Sequence, residues 1–357
     1  LKAFEHGGNI YRKSPQQGRW LDFSANINPL GLSEKAYQAV ADHIGAVVHY
    51  PDPDAKELKA ALAEAYNLSE DQLVLGNGAA ELFYLFLQTV RPKRVLLPVP
   101  SFSEYERAAL AARCKVSYFQ LEPEEAFRLD REKLTAALPV ADCIILGNPN
   151  NPTGGLVTRN ELTHLLEEMK GGRQWLVVDE SFLDFLRYDT RYTVRDLTKE
   201  YPHLFVVRSL TKFYALPGLR LGFGAASPDL ADKLNQGKDV WNVNVLAQQA
   251  GIAVLRDRDY QKRSREELAE WSSSFYQQLA DVQGIRPLKP SVNFILLDIS
   301  GTAMSSTELT DVLSRKGILV RDCANYPGLD GRSYIRVAVR TPEENKRFLT
   351  ALEEISW

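Results

Sequence analysis

From Asp54 onward the apolar residues alternate between helical and strand spacing. Leu58, Ala61, Leu62, Ala65 and Tyr66 fall on one helical stripe. Six short apolar runs follow, at residues 73–75, 94–97, 116–119, 143–146, 175–178 and 205–208, each closed by a polar or glycine-rich turn. Such short, unbroken runs suit strands buried on both faces, and helical patterns fill most of the gaps between them. The pattern predicts an α/β fold with a mainly parallel sheet. After Asn242 a proline-free helical stretch reaches about Leu279 and reads as one long helix linking two units. Beyond it come strand patterns at 293–297, 318–320 and 334–337, a helix at 306–313 and a last helix from Pro342, which predict a small α+β domain. In the first 50 residues Gly7-Gly8, Pro15, Pro29 and Gly31 punctuate the chain too often for a long element, so an arm lying over other structure is expected.

At 357 residues the chain exceeds the roughly 250 to 300 at which a single core stops growing. The expected division is 1–50 as arm and part of the small domain, 51–245 as a large domain, and 246–357 as interdomain helix and small domain. A formal charge of −3 gives no basic excess, which argues against a nucleic-acid partner. The sequence contains no apolar run of about 18 residues, and its first residues lack the pattern of a signal peptide, so a cytoplasmic protein with no membrane partner is expected. Cys114, Cys143 and Cys323 are odd in number, widely spaced and without a CxxC pair. They read as reduced core thiols, with neither a disulfide framework nor a metal site.

The densest chemistry lies at residues 209–222 (SLTKFYALPGLRLG), directly after a buried strand. A lysine there, Lys212, stands at the carboxyl edge of the sheet, where open α/β sheets bind ligands. Desolvation and nearby cations would leave it partly neutral, as attack on an aldehyde requires. Ser209 and Arg220 can supply a hydroxyl and a guanidinium to a phosphate. Asp179 ends another strand, where a carboxylate can pair with a protonated pyridine nitrogen. Gly76 to Glu81 (GNGAAE) follows a strand and opens a helix, which aims free N–H groups at an anion. It is not the GxGxxG of a dinucleotide site. Residues 148–154 (NPNNPTG) carry an amide to the same edge. Taken singly, Lys212 reads as a surface lysine, Asp179 as a helix cap and 148–154 as a turn. Their convergence on one sheet edge points to pyridoxal 5′-phosphate.

These motifs together resemble the fold-type I pyridoxal-phosphate enzymes, the aspartate aminotransferase superfamily, along nearly the whole chain. Within it, His6-Gly7-Gly8-Asn9, residues 21–31 (LDFSANINPLG) and residues 321–329 (RDCANYPGL) resemble the L-threonine-O-3-phosphate decarboxylases of cobalamin biosynthesis. The resemblance implies a large domain with a mainly parallel sheet plus a small α+β domain. It implies that Lys212 bonds the cofactor, Asp179 pairs with its pyridine nitrogen and Asn151 with its ring hydroxyl. Ser209, Arg220 and the Gly78-Ala79 turn would hold the phosphate, and Phe102 would stack on the ring. Tyr50 would reach the phosphate of a neighbouring subunit, which implies a homodimer. His6, Gly7, Asn26, Asn151, Arg321 and Arg336 would surround a phosphorylated amino acid.

The expected reaction is decarboxylation of O-phospho-L-threonine to (R)-1-amino-2-propanol O-2-phosphate, with O-phospho-L-serine, which lacks one methyl group, as the competing substrate. In the runner-up reading, a histidinol-phosphate-type aminotransferase, the same apparatus removes the Cα proton instead. Many of those enzymes read Asp-Glu-Ala-Tyr where this chain has Asp179-Glu180-Ser181-Phe182, so a phenol is missing here. Decarboxylase relatives also carry phenylalanine there, with alanine in place of Ser181. A cofactor-binding transcription regulator would need a basic DNA-contacting surface. On its own, Arg336 also reads as a strand arginine in a surface ion pair.

Overall fold

Each of the six apolar runs forms a strand in the computed structural model, which describes residues 4, 6–11, 19–329, 331 and 333–355. Pro15 of the arm lies outside them. The strands assemble with a seventh in the order Leu73–Asn77, Leu221–Ala225, Leu204–Ser209, Trp175–Asp179, Cys143–Gly147, Arg94–Val99 and Lys115–Gln120. The last five run parallel. Alternation along them fills two cores. Val177, Phe205 and Val207 face one side with Val95 and Phe86, whereas Leu176, Val178 and Val206 face the other with Ile144 and Leu146. Burying a Val, Leu, Ile or Phe stabilises by about 1.5 to 3 kcal/mol, so both faces favour this register.

The seventh strand, Leu221–Ala225, was not expected, and it matters to the site. It is antiparallel to both neighbours, pairing Leu221 with Asn77 and Gly222 with Ser209. Its amino end therefore lies at the edge where the parallel strands end. Arg220 arrives there from the opposite direction to Asp179 and Ser209.

Three other expectations are corrected. The single linking helix is two, Val245–Leu255 and Arg258–Ala280, because Asp257 leaves helical geometry and its carboxylate caps the second. The first 50 residues contain a ten-residue helix, Glu34–His43, capped by Ser33. The expected strand at 318–320 is shorter, and a separate strand in another sheet follows it directly. Ile318–Leu319 pairs in parallel with Leu21–Asp22, and Arg321–Asp322 pairs with Tyr334–Ala338. Between Trp175–Asp179 and Leu204–Ser209 the chain makes only short 3-10 segments, at Leu183–Phe185, Asp189–Arg191 and Arg195–Lys199.

The second sheet has the order Arg321–Asp322, Tyr334–Ala338, Phe294–Asp298, Arg286–Pro287, all antiparallel. The amino-terminal segment is tied to it, with Phe23 N–H donating to Leu319 O and Ala338 N–H to Phe23 O, both at 2.8 Å. Among the described residues no helix is long and apolar enough to cross a membrane. The three cysteines are free and buried.

Candidate active site

The carboxyl edge of the large sheet and the second sheet enclose a cavity of about 370 Å³. Adjacent strands bring its polar groups together: Gly147 pairs with Asp179 and Asp179 with Val207, while Asn148 N–H donates to Asp179 O at 2.8 Å. Lys212 stands on a one-turn helix, Leu210–Phe213, capped by Ser209. Asn28 locks that turn, its N–H donating to Lys212 O at 3.0 Å and its side-chain amide to Phe213 O at 2.8 Å. Burial, then the charges of Arg336 and Arg220, lower the Lys212 ammonium from 10.5 to about 8, against the pull of Asp179.

A test follows from that value. Uptake of pyridoxal 5′-phosphate by the apo protein, read by absorbance, should accelerate with pH up to about 8 and then level off. A lysine with the ordinary value would keep accelerating towards pH 10. Because the unfolded chain holds this proton up to its higher pKa, the same shift makes the apo fold gain stability between about pH 8 and 10.5.

Asp179 is buried, with neutral donors on both oxygens: Tyr105 O–H at 2.6 Å and Ser181 N–H at 2.9 Å. Burial raises its pKa; the hydrogen bonds from Ser181 and Tyr105 and the charge of Lys212 only partly offset this. A buried carboxylate in that state favours a cationic partner such as a pyridinium N–H. Tyr105 also packs edge-on against Phe102, with ring centroids 5.6 Å apart, so one side chain braces two expected cofactor contacts. Tyr105→Phe should weaken cofactor binding roughly tenfold in a spectrophotometric titration, since a hydrogen bond to a charged group contributes about 1.5 to 3 kcal/mol.

The expected phosphate site is built from backbone. Gly78 has φ +80° and offers no side-chain cap to the helix Ala79–Val90, whose first N–H groups stay open. Arg220 lies so close that a Cβ on Gly78 would come 2.1 Å from its Nη2. Ser209 Oγ is 2.7 Å from Thr211 Oγ1 at the same edge. Lys212, buried Asp179 and an open helix end beside a guanidinium thus fit pyridoxal 5′-phosphate in all three of its functional parts.

Facing them, Arg321 and Arg336 are directly paired across antiparallel strands, and both are buried. Arg336 donates to Asn151 Oδ1 and, at 2.7 Å, to Ser24 O, while its Nε has no partner. Arg321 donates to Asp322 O and, at 2.8 Å, to Asn325 Oδ1, with its guanidinium 4.8 Å from the Tyr326 ring centroid. Among the described residues neither is paired with a carboxylate. Burial lowers the pKa of Arg336. Two adjacent buried cations repel, and an anion placed between them would relieve that repulsion. Asn26 Oδ1 is likewise buried without a partner.

His6, Gly7, Asn26, Ala79, Phe102, Asn151, Asp179, Ser209, Lys212, Arg220, Arg321 and Arg336 all line the cavity. Gly78 lies beneath Arg220, and Tyr50 does not reach the cavity of its own chain. Tyr50 is 77% exposed and stacks on Trp241 at 4.3 Å between centroids. Glu104, Tyr105, Thr211, Ser181 and Tyr326 line the cavity without having been expected as site residues. Tyr326 lies inside the RDCANYPGL motif, which could have flagged it.

The sequence matches the family described as Aminotransferase class I and II over residues 18–352. It is 36% identical over 355 residues to the threonine-phosphate decarboxylase of Salmonella typhimurium, covering 98% of this chain and 96% of that one. The crystal structure of the histidinol-phosphate aminotransferase of Clostridium acetobutylicum superposes with a TM-score of 0.86 at 32% identity, covering 93% and 97% of the two chains. That of the L-threonine-O-3-phosphate decarboxylase of Porphyromonas gingivalis gives 0.81 at 27% identity, covering 93% and 98%.

Proposed function

The chain belongs to the class I and II aminotransferase family, and we infer that within it the protein is a pyridoxal-phosphate-dependent decarboxylase. Its substrate is O-phospho-L-threonine and its product (R)-1-amino-2-propanol O-2-phosphate, used in cobalamin nucleotide-loop assembly. The buried Arg321–Arg336 pair carries this reading. A phosphoamino acid brings two anionic groups, a carboxylate and a phosphate, to two guanidiniums that lack them. Histidinol phosphate brings only one.

When bound, the cofactor supplies an aldehyde and a pyridinium that withdraws electrons from the substrate's Cα. Asp179 keeps that nitrogen protonated, and Tyr105 and Ser181 hold Asp179 in place. Ser209, Arg220 and the open helix end at Ala79 bind the cofactor phosphate, with Phe102 against its ring and Asn151 at its hydroxyl. Arg321 and Arg336 bind the substrate anions, and the orientation they impose selects loss of CO2 over loss of the Cα proton. Lys212, close to half neutral near pH 8, then delivers a proton to Cα. Phe182 walls the cavity with an apolar ring, packed edge-on against Phe294 at 5.1 Å. No phenol is offered there to move a proton. The reading includes a homodimer in which the exposed Tyr50 reaches the partner's cofactor phosphate.

The test is product analysis on purified, cofactor-loaded protein given O-phospho-L-threonine, O-phospho-L-serine, or histidinol phosphate with 2-oxoglutarate. CO2 and an amino-alcohol phosphate formed without any oxo acid support the reading, and the ratio of the two rates ranks the substrates. Glutamate formed from histidinol phosphate overturns it.

A further inference from the structure

Glu104 is a carboxylate on the cavity wall to which the reaction above gives no part. It is 7% exposed and follows Phe102 by two residues, in the first turn of the helix Ser103–Ala111. Its Oε1 lies 2.7 Å from His6 Nε2 and 3.3 Å from Arg107 Nη1, and its Oε2 accepts from the Tyr84 hydroxyl at 3.0 Å. Burial pushes the Glu104 pKa up, but the hydrogen bonds from His6, Tyr84 and Arg107 outweigh it and the carboxyl stays ionised.

An ionised carboxylate only accepts, so the hydrogen of this contact sits on His6 Nε2. That leaves Nδ1 for another partner. A neutral ring would present Nδ1 as an acceptor, which a phosphate oxygen cannot use. A ring protonated on both nitrogens presents it as a donor to a phosphate oxygen. The groups facing His6 are Glu104 and, through it, Tyr84 and Arg107, with the Phe102 ring 5.6 Å away.

The backbone beside His6 is fixed to the other wall. A Cβ on Gly7 would lie 2.0 Å from Ser24 O, so this approach requires glycine. Gly8 N–H donates to Ser24 Oγ at 2.7 Å, and Ser24 Oγ donates to Asp22 Oδ1 at 2.6 Å. Residues 6–8 therefore run from the segment bonded to Arg336 on one side to the helix behind Phe102 on the other. His6 reaches Glu104 across the cavity.

We propose that Glu104 is a positioning residue for substrate capture: by holding His6 Nε2 it fixes the ring across the cavity with its other nitrogen turned to bind the phosphate of the substrate. The proposal rests on the phosphoamino-acid reading of the site.

The experiment uses cofactor-loaded wild type and Glu104→Gln, with O-phospho-L-threonine as substrate and O-phosphoethanolamine and L-threonine as competing ligands. Loss of one charge-assisted contact predicts that Glu104→Gln raises KM and the inhibition constant for O-phosphoethanolamine about tenfold. The inhibition constant for L-threonine, kcat and the absorbance spectrum of the bound cofactor should hold within about twofold of wild type, well below that tenfold step. His6→Gln should reproduce the KM effect, and the double variant should be no worse than either single one, because Glu104 acts through His6. His6→Gln also keeps the test available should Glu104→Gln fold poorly. An unchanged KM, an equal loss for L-threonine, or additive effects overturn the proposal. Absence of CO2 release by the wild type overturns the functional reading instead, and this inference with it.

Discussion

Lys212→Ala is expected to lower CO2 release from O-phospho-L-threonine by roughly a thousandfold or more, the scale on which a positioned proton-transfer group contributes. The fold should not suffer. Lys212 is a buried amine among the cations Arg336 and Arg220, held at about 8 where an exposed lysine titrates at 10.5. Its charged form is disfavoured in the folded chain, so removing it relieves repulsion below pH 8. The melting temperature of the apo variant at pH 7 should equal or exceed that of wild type, while turnover is lost. A large drop in both would make Lys212 a structural residue.

Arg336→Ala should cut kcat/KM for O-phospho-L-threonine by about thirtyfold or more, from the roughly 2 to 5 kcal/mol lost when one member of a buried charge pair is removed. Its guanidinium binds Asn151 Oδ1 and Ser24 O and keeps Nε unpartnered. Of these two contacts, Ser24 O lies on the substrate side of the cavity and Asn151 keeps its place on the backbone turn at 148–154, so the larger loss is expected in substrate binding. Absorbance of the bound cofactor should be retained, and Arg336→Lys should recover only part of the loss, because an ammonium cannot make the bidentate contact. Unchanged kcat/KM would remove Arg336 from the site.

The large sheet was legible because its strands are short continuous apolar runs closed by polar turns, a pattern that only burial on both faces favours. Leu221–Ala225 (LGFGA) escaped because glycines interrupt its apolar run and the preceding Pro-Gly-Leu-Arg reads as a turn. Its direction, which carries Arg220 to the ligand edge, depends on pairing with a strand nearly 150 residues earlier in the chain. The helix Glu34–His43 escaped because the prolines and glycines flanking it dominate the local pattern.

The same separation explains the site. Lys212, Asp179 and Ser209 announce themselves at strand ends, each within its own local motif. Tyr105 and Glu104 sit in SEYERAAL, an ordinary amphipathic helix start where an acidic first turn already satisfies the helix dipole. Their functional contacts lie 74 and 98 residues away, at Asp179 and His6. No local spacing encodes those pairs. The paired arginines are similar: each motif is visible alone, but their adjacency across two strands, which makes them a site for two anions, appears only in the register of the second sheet.

The most direct test of the central claim is to follow O-phospho-L-threonine labelled with carbon-13 at its carboxyl group, by NMR, with cofactor-loaded protein and no oxo acid. The account predicts that the label leaves as CO2 and bicarbonate while an unlabelled amino-alcohol phosphate accumulates. Retention of the label, in unchanged amino acid or in a 2-oxo acid formed only when an amino acceptor is added, would contradict it.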